Sequence, residues 1–207
     1  MGYIVIRPIY DPATDFAQTL ASQIIEALEK KEIKPRDYYY KDATKKKIHK
    51  FLLDRRNGPS AIFGFGHGDR RTFYGHNEEP IFTCNQTSNK KIFFGSFFYL
   101  YSCNCGKELG KKIVDAGGKG FLGYVGIVCY HPRNPLPIIR SANKGILAMI
   151  KKGCSLKSAY DITIKAYGEE IKKAEKSKKF WLYETLKTNR ENFVKYGRDR
   201  FFLSTIA

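Results

Sequence analysis

The chain of 207 residues has no uninterrupted apolar run approaching the roughly 18 residues of a membrane-spanning helix, so a helical membrane protein is not expected. Acidic side chains are scarce, with 20 Asp plus Glu against 37 Lys plus Arg, a net charge of +17. That balance disfavours basic partners and can steer a protein toward nucleic acid, anionic membranes or acidic proteins. The excess is diffuse, however. Its clusters at Lys45-Lys46-Lys47, Lys151-Lys152 and Lys172-Lys173 to Lys178-Lys179 are interrupted by Glu169, Glu170 and Glu175. They read as solvated helix surface, with a nucleic-acid or other polyanion partner as the alternative. Paired cysteines are also lacking. Five cysteines form neither a disulfide framework nor a zinc-finger spacing, and Cys103, Cys105 and Cys129 with a histidine are a poor metal set, so no metal is expected. The start, Met1-Gly2-Tyr3-Ile4-Val5-Ile6-Arg7, enters a strand at once without a secretory pattern, which points to reduced thiols in the cytoplasm. No repeat, linker or low-complexity segment divides the chain, and a single domain over 1–207 is expected.

What is present is an alternation of strand and helix patterns, the signature of an α/β fold. A strand from Tyr3 to Ile9 runs into Asp11-Pro12, a helix cap followed by proline at the first helical position. The helix to about Lys31 carries Phe16, Leu20, Ile24 and Leu28 at spacing four, a stripe made to face a sheet. A short strand near Asp37 to Tyr40, a helix from about Ala43 to Arg56 and a strand over Ala61 to Gly66 follow. Arg71 to Cys84 reads as a hairpin, and Phe97 to Tyr101 as the next strand. Then come a helix over Lys107 to Ala116, a strand over Gly120 to Val125 and an irregular loop from Gly126 to Pro137. Helices over Ile138 to Lys152, Ser155 to Lys176 and Phe180 to Lys195 precede a last strand at Phe201 to Ser204.

Two strands stand out because each is apolar throughout and ends on a reactive side chain. Ala61-Ile62-Phe63-Gly64-Phe65, opened by Gly58-Pro59, stops at Gly66-His67-Gly68, and Phe97-Phe98-Tyr99-Leu100-Tyr101 stops at Ser102-Cys103. Apolar runs without period-two alternation belong in the middle of a covered parallel sheet. The carboxyl edge of such a sheet is where ligands bind, so adjacent placement of the two strands brings His67 and Cys103 together. An imidazole that takes the thiol proton or stabilises the thiolate turns a weak nucleophile into a working one.

These blocks resemble the His-Gly and Ala/Ser-Cys blocks of caspase-like (clan CD) cysteine peptidases, nearest the CHAT and gingipain-type branch. The likeness continues through Cys103-Asn104-Cys105-Gly106, the following helix and Gly117-Gly118-Lys119-Gly120-Phe121-Leu122-Gly123-Tyr124. It extends to Gly153-Cys154-Ser155-Leu156-Lys157-Ser158-Ala159 and to Asn192-Phe193-Val194-Lys195-Tyr196-Gly197-Arg198-Asp199. The chain departs from the pattern in a second cysteine at Cys105, in the missing proline of the last motif and in the absence of an acid before Ser102.

The resemblance implies a three-layer caspase-like (caspase-hemoglobinase) fold, a mostly parallel sheet of about six strands with helices on both faces. It also implies a cofactor-free thiol endopeptidase acting on a protein or peptide substrate, with Cys103 as nucleophile, His67 as base and acid, and the amides of Gly68 and Cys103 as oxyanion donors. Residues after the first strand and after the strand that follows the cysteine helix would hold the substrate, here Asp11 and Asp15 on one side, and Tyr124, Val125 and the stretch to His131 on the other. An acid there favours arginine or lysine before the cut, although Asp11 also suffices as a helix cap. A regulatory partner or chain cut is expected to restrain such an enzyme. A catalytically silent binding module of the same fold is the alternative. Cys105 is expected in the first turn of the helix, off the line toward His67; Cys84 and Cys154 read as small hydrophobes, and His76 and His131 as surface residues.

Overall fold

The computed structural model describes residues 2–54, 59–85 and 89–203. The expected helix end at Arg56, Gly58 and the expected strand end at Ser204 lie outside the described residues. Among the described residues, eight strands and eight α-helices follow one another as β1 (Gly2–Arg7), α1 (Pro12–Glu29), β2 (Arg36–Tyr39), α2 (Lys45–Leu53), β3 (Pro59–Phe65), β4 (Thr72–Tyr74), β5 (Pro80–Thr83), α3 (Asn89–Phe93), β6 (Phe97–Tyr101), α4 (Leu109–Asp115), β7 (Gly120–Tyr124), α5 (Leu136–Ala142), α6 (Lys144–Lys152), α7 (Leu156–Lys176), α8 (Phe180–Asn192) and β8 (Phe193–Gly197). Six strands form one sheet in the order β2-β1-β3-β6-β7-β8, and β4 and β5 form a separate antiparallel hairpin. All sheet pairings are parallel except β7 with β8.

The two faces of the sheet collect different helices because side chains alternate along each strand. Tyr3, Val5, Phe63, Phe65, Phe97, Tyr99 and Tyr101 face α1 and α5 to α8, whereas Ile4, Ile6, Ile62, Phe98 and Leu100 face α2, α3, α4 and the hairpin. Crossovers between parallel strands are right-handed, so a step leftward from β1 to β2 puts its helix on one face and steps rightward put theirs on the other. The result is an α/β architecture with helices on both sides of a mostly parallel sheet. No helix among the described residues is long and apolar enough to cross a membrane.

Three expected elements are corrected. The last sheet strand is Phe193–Gly197, antiparallel to β7, where a helix end was expected; Phe202 makes only a lone bridge to Ser155. The expected helix over Ile138 to Lys152 is two helices meeting at Asn143, whose buried side-chain amide donates to the Leu20 carbonyl at 2.8 Å. The helix after Cys103 begins at Leu109 rather than Lys107.

Phe98 is fully buried, and its ring meets Phe82 and Phe93 edge-on at 5.5 Å each. It joins the sheet to the hairpin and to α3. Phe98→Ala is expected to cost about 3–5 kcal/mol in urea unfolding, the range for truncating a buried aromatic that leaves a cavity.

Candidate active site

The register of β3 on β6 sets the site. Phe65 lies opposite Tyr101, and the Gly66 amide continues the ladder to the Tyr101 carbonyl at 3.2 Å. His67 and Cys103, each two residues further on, therefore leave the sheet at the same level. The crevice also lies where β1 has neighbours on both sides: β1 leads to β2 on one side and pairs with β3 on the other, a topological switch point. His67 and Cys103 line one cleft of about 110 Å³, whose opposite walls come from the first turns of α1 and from the loop after β7.

Asp11 orients the histidine. One carboxylate oxygen accepts the Thr14 amide at 2.8 Å as the cap of α1, and the other meets His67 Nε2 at 2.5 Å. Burial opposes ionisation of Asp11, but hydrogen bonds from the Thr14 amide, His67 and the Thr14 hydroxyl outweigh it and hold the carboxyl below its ordinary range. An aspartate on one ring nitrogen fixes the tautomer and leaves Nδ1 to take and return a proton. The Tyr10 ring packs 5.7 Å from the His67 ring and restricts its tilt.

The cysteine sits on a tight turn. Asn104 is left-handed (φ 58°), a conformation that asparagine tolerates better than most residues, and its amide donates to the Gly126 carbonyl at 2.9 Å. The Val128 amide donates to Cys103 Sγ at 3.3 Å. Sγ has no hydrogen bond to His67 among the described residues; such contacts are often loose before substrate binds.

The chain on either side of Val128 is held by two asparagines, of which only Asn192 falls in a stretch that carries the resemblance. The buried Asn189 of α8 accepts the Cys129 amide and donates to the Cys129 carbonyl, both at 2.7 Å, as a neighbouring strand would, and Asn192 donates to the Ile127 carbonyl at 3.0 Å. The signal was an asparagine falling on the apolar stripe of Leu182 and Leu186.

Gly68 has to be glycine. A Cβ there would sit 2.3 Å from Ser102 Oγ and 2.4 Å from Cys105 Sγ, so the chain after the histidine is pressed onto the chain around the cysteine. Gly68 also bridges to Phe73, but the flanking bonds use Asp69 and His67. Among the described residues the amides of Gly68 and Cys103 donate to no other protein group. Cys103 lines the cleft, whereas Gly68 follows the lining residue His67 and is not itself part of the wall.

The two neighbouring thiols differ. Cys103 is partly exposed in the cleft, whereas Cys105 is fully buried in the turn before α4, with Sγ 3.4 Å from both the Thr72 carbonyl and Ser102 Oγ. Burial pushes the Cys105 thiol up to about 12.

The residues expected to hold substrate are not gathered as the resemblance implies. Asp15 is exposed and does not line the cleft, and Tyr124 is fully buried, with its hydroxyl 3.0 Å from that of Tyr167. Val125 donates its amide to Asn192 and also does not line the cleft; within the expected stretch to His131, Val128 and Tyr130 do form that wall. Asp11 is occupied by His67 and by the cap. His76 is not a free surface residue but wedges between Tyr10 and Tyr40, with a buried Nδ1. His131 closes a turn by accepting the Asn134 amide at 3.1 Å. The described residues hold no group of three or more His, Cys, Asp or Glu side chains able to bind a metal, and no disulfide joins the cysteines. Compared with protein-family models and with curated proteins, the chain matches none.

Two outcomes follow from this geometry. Iodoacetamide is expected to alkylate Cys103 in the native protein and Cys105 only after denaturation, as peptide mapping will read. For Asp11, a carboxyl held below its unfolded value of about 4 contributes stability that is present above that pH and lost as pH falls through the folded value. Asp11→Asn, which keeps a good cap, should therefore be less stable than the native protein near pH 7, and the difference should shrink as pH falls through the folded value, as urea unfolding at a series of pH values will read.

Proposed function

We propose that the chain is a cysteine endopeptidase of the caspase-like type, hydrolysing peptide bonds through a Cys103–His67 pair without a cofactor. The observation that carries this reading is the delivery of His67 and Cys103, by in-register adjacent strands, to one cleft at the switch point of the sheet. The Asp11–His67 bond and the unpaired Gly68 and Cys103 amides supply the other parts that acyl transfer needs. The six-stranded, mostly parallel sheet with helices on both faces agrees with the three-layer fold that the resemblance implies.

In this mechanism His67 Nδ1 takes the Cys103 proton as Sγ attacks the scissile carbonyl carbon. The C=O π pair moves to oxygen, and the oxyanion is met by the Gly68 and Cys103 amides. Asp11 stabilises the imidazolium across Nε2. Collapse breaks the C–N bond, and the leaving amine takes the proton from His67, which leaves a thioester on Cys103. Water then gives a proton to His67 and its oxygen to the acyl carbon. The acid departs, and the thiol is restored with the proton returned by the imidazolium.

Cys103→Ala and His67→Ala are each expected to lower turnover of an unfolded protein substrate by three or more orders of magnitude while keeping the native circular dichroism spectrum, as residues acting as a unit do. Cys105→Ser should retain much of the activity. A dead Cys105→Ser beside an active Cys103→Ala would move the nucleophile by two residues. Asp11→Asn should lose about two orders in kcat with a small change in KM, the pattern of a group that stabilises charge formed in the transition state.

A further inference from the structure

The cleft beside Cys103 is narrow and carries no carboxylate able to receive a cation. Its side walls are formed by the first turns of α1, with Ala13, Phe16 and Ala17, and by Val128 and Tyr130 of the facing loop, and the strand ends with Tyr101 and Ser102 close it beside the reacting pair, within a volume of about 110 Å³. Small-molecule sites typically enclose about 300–1,000 Å³, so this one has room for a single short side chain. The Phe16 and Tyr130 rings stack at 5.2 Å and bridge the two walls. Both oxygens of Asp11 are engaged, Asp15 is exposed outside the cleft, and no lysine or arginine lines it.

Resting on the peptidase reading above, we propose that this cleft selects a short, uncharged side chain, of alanine or valine size, on the residue whose carbonyl Cys103 attacks. A guanidinium, ammonium or carboxylate seated there would lose water and find no ion-pair partner, and that penalty is what such a wall uses to reject charge. The expected arginine or lysine preference is thereby replaced. It rested on Asp11 and Asp15, and neither is free inside the cleft. Width sets the upper limit on size. Ala13 and Ala17 lie on consecutive turns of one helix face, opposite Tyr130, and the small volume between them is expected to disfavour a side chain as large as tryptophan.

The test uses the full chain and a series of peptidyl acyloxymethyl ketones that differ only in the residue next to the ketone: Ala, Val, Arg, Asp and Trp. The Cys103 thiolate displaces the carboxylate leaving group and forms a thioether, which intact-protein mass reads with time. Ala and Val reagents are expected to label at least a hundredfold faster than Arg, Asp and Trp. Fastest labelling by Arg, Asp or Trp overturns the proposal and leaves the peptidase reading standing. Absence of a Cys103 adduct with every reagent, in protein whose Cys103 still reacts with iodoacetamide, overturns the peptidase reading and this inference with it. Ala13→Asp gives an independent arm. An acid in the first turn of a helix is well tolerated, and here it would put a carboxylate on the cleft wall. The Arg to Ala rate ratio should rise at least tenfold in this variant, and an unchanged ratio overturns the assignment of the cleft.

Discussion

The pairing of β3 with β6 is the constraint on which the site depends. Both strands are buried on both faces, so a slip of one residue would turn every side chain toward the wrong layer. Gly64 helps to fix the register. It lies opposite Leu100, and a Cβ at that position would meet Leu100 at 2.7 Å and the Phe73 ring at 2.8 Å. The glycine thus creates a socket that only one alignment fills. From that alignment follow the common level of His67 and Cys103, the pressing of Gly68 onto Ser102 and Cys105, and the seating of the hairpin through Phe73.

A second layer holds the loops that finish the cleft. Asparagines do this where apolar residues could not, because loop amides and carbonyls need partners that the sheet no longer supplies. Asn189 and Asn192 reach from α8 to Ile127 and Cys129, and Asn143 ties α1 to the junction of α5 and α6. Buried amides of this kind are costly when unpaired and orienting when satisfied. The polar side chains of the α5 to α8 layer therefore fix the position of Val128, and with it the environment of Cys103 Sγ.

Much of this was legible in the sequence, for identifiable reasons. Apolar runs ending in glycine or in a reactive residue marked β3 and β6, and Asp11-Pro12 marked the start of α1 within a residue. The β7–β8 pairing was not legible. Leu182, Leu186 and Phe193 extend a helical stripe past the point where the helix ends, and the strand forms because Phe193 to Gly197 can complete the ladder of β7. That is a tertiary demand without a local signal. Tyr124 was misplaced for a related reason. It closes a strand, but the alternation along β7 turns its ring into the core beside Tyr167. The stretch from Val125 to His131 was legible as a cleft wall, but not that Val128 and Tyr130 are the residues that form it, because the order of this proline-containing loop is imposed by α8, about sixty residues away.

Asp11 satisfies two requirements with two different oxygens, a helix amide on one side and an imidazole on the other. Glutamate would keep the charge but misplace the cap through its extra methylene, asparagine would keep the cap and lose the charge, and serine would offer a single oxygen. Each requirement alone admits several residue types, and their intersection contains one. The side chain at this position is therefore fixed by geometry more tightly than either role would fix it, and the first turn of α1 cannot be redesigned for stability without also resetting the histidine that faces the thiol.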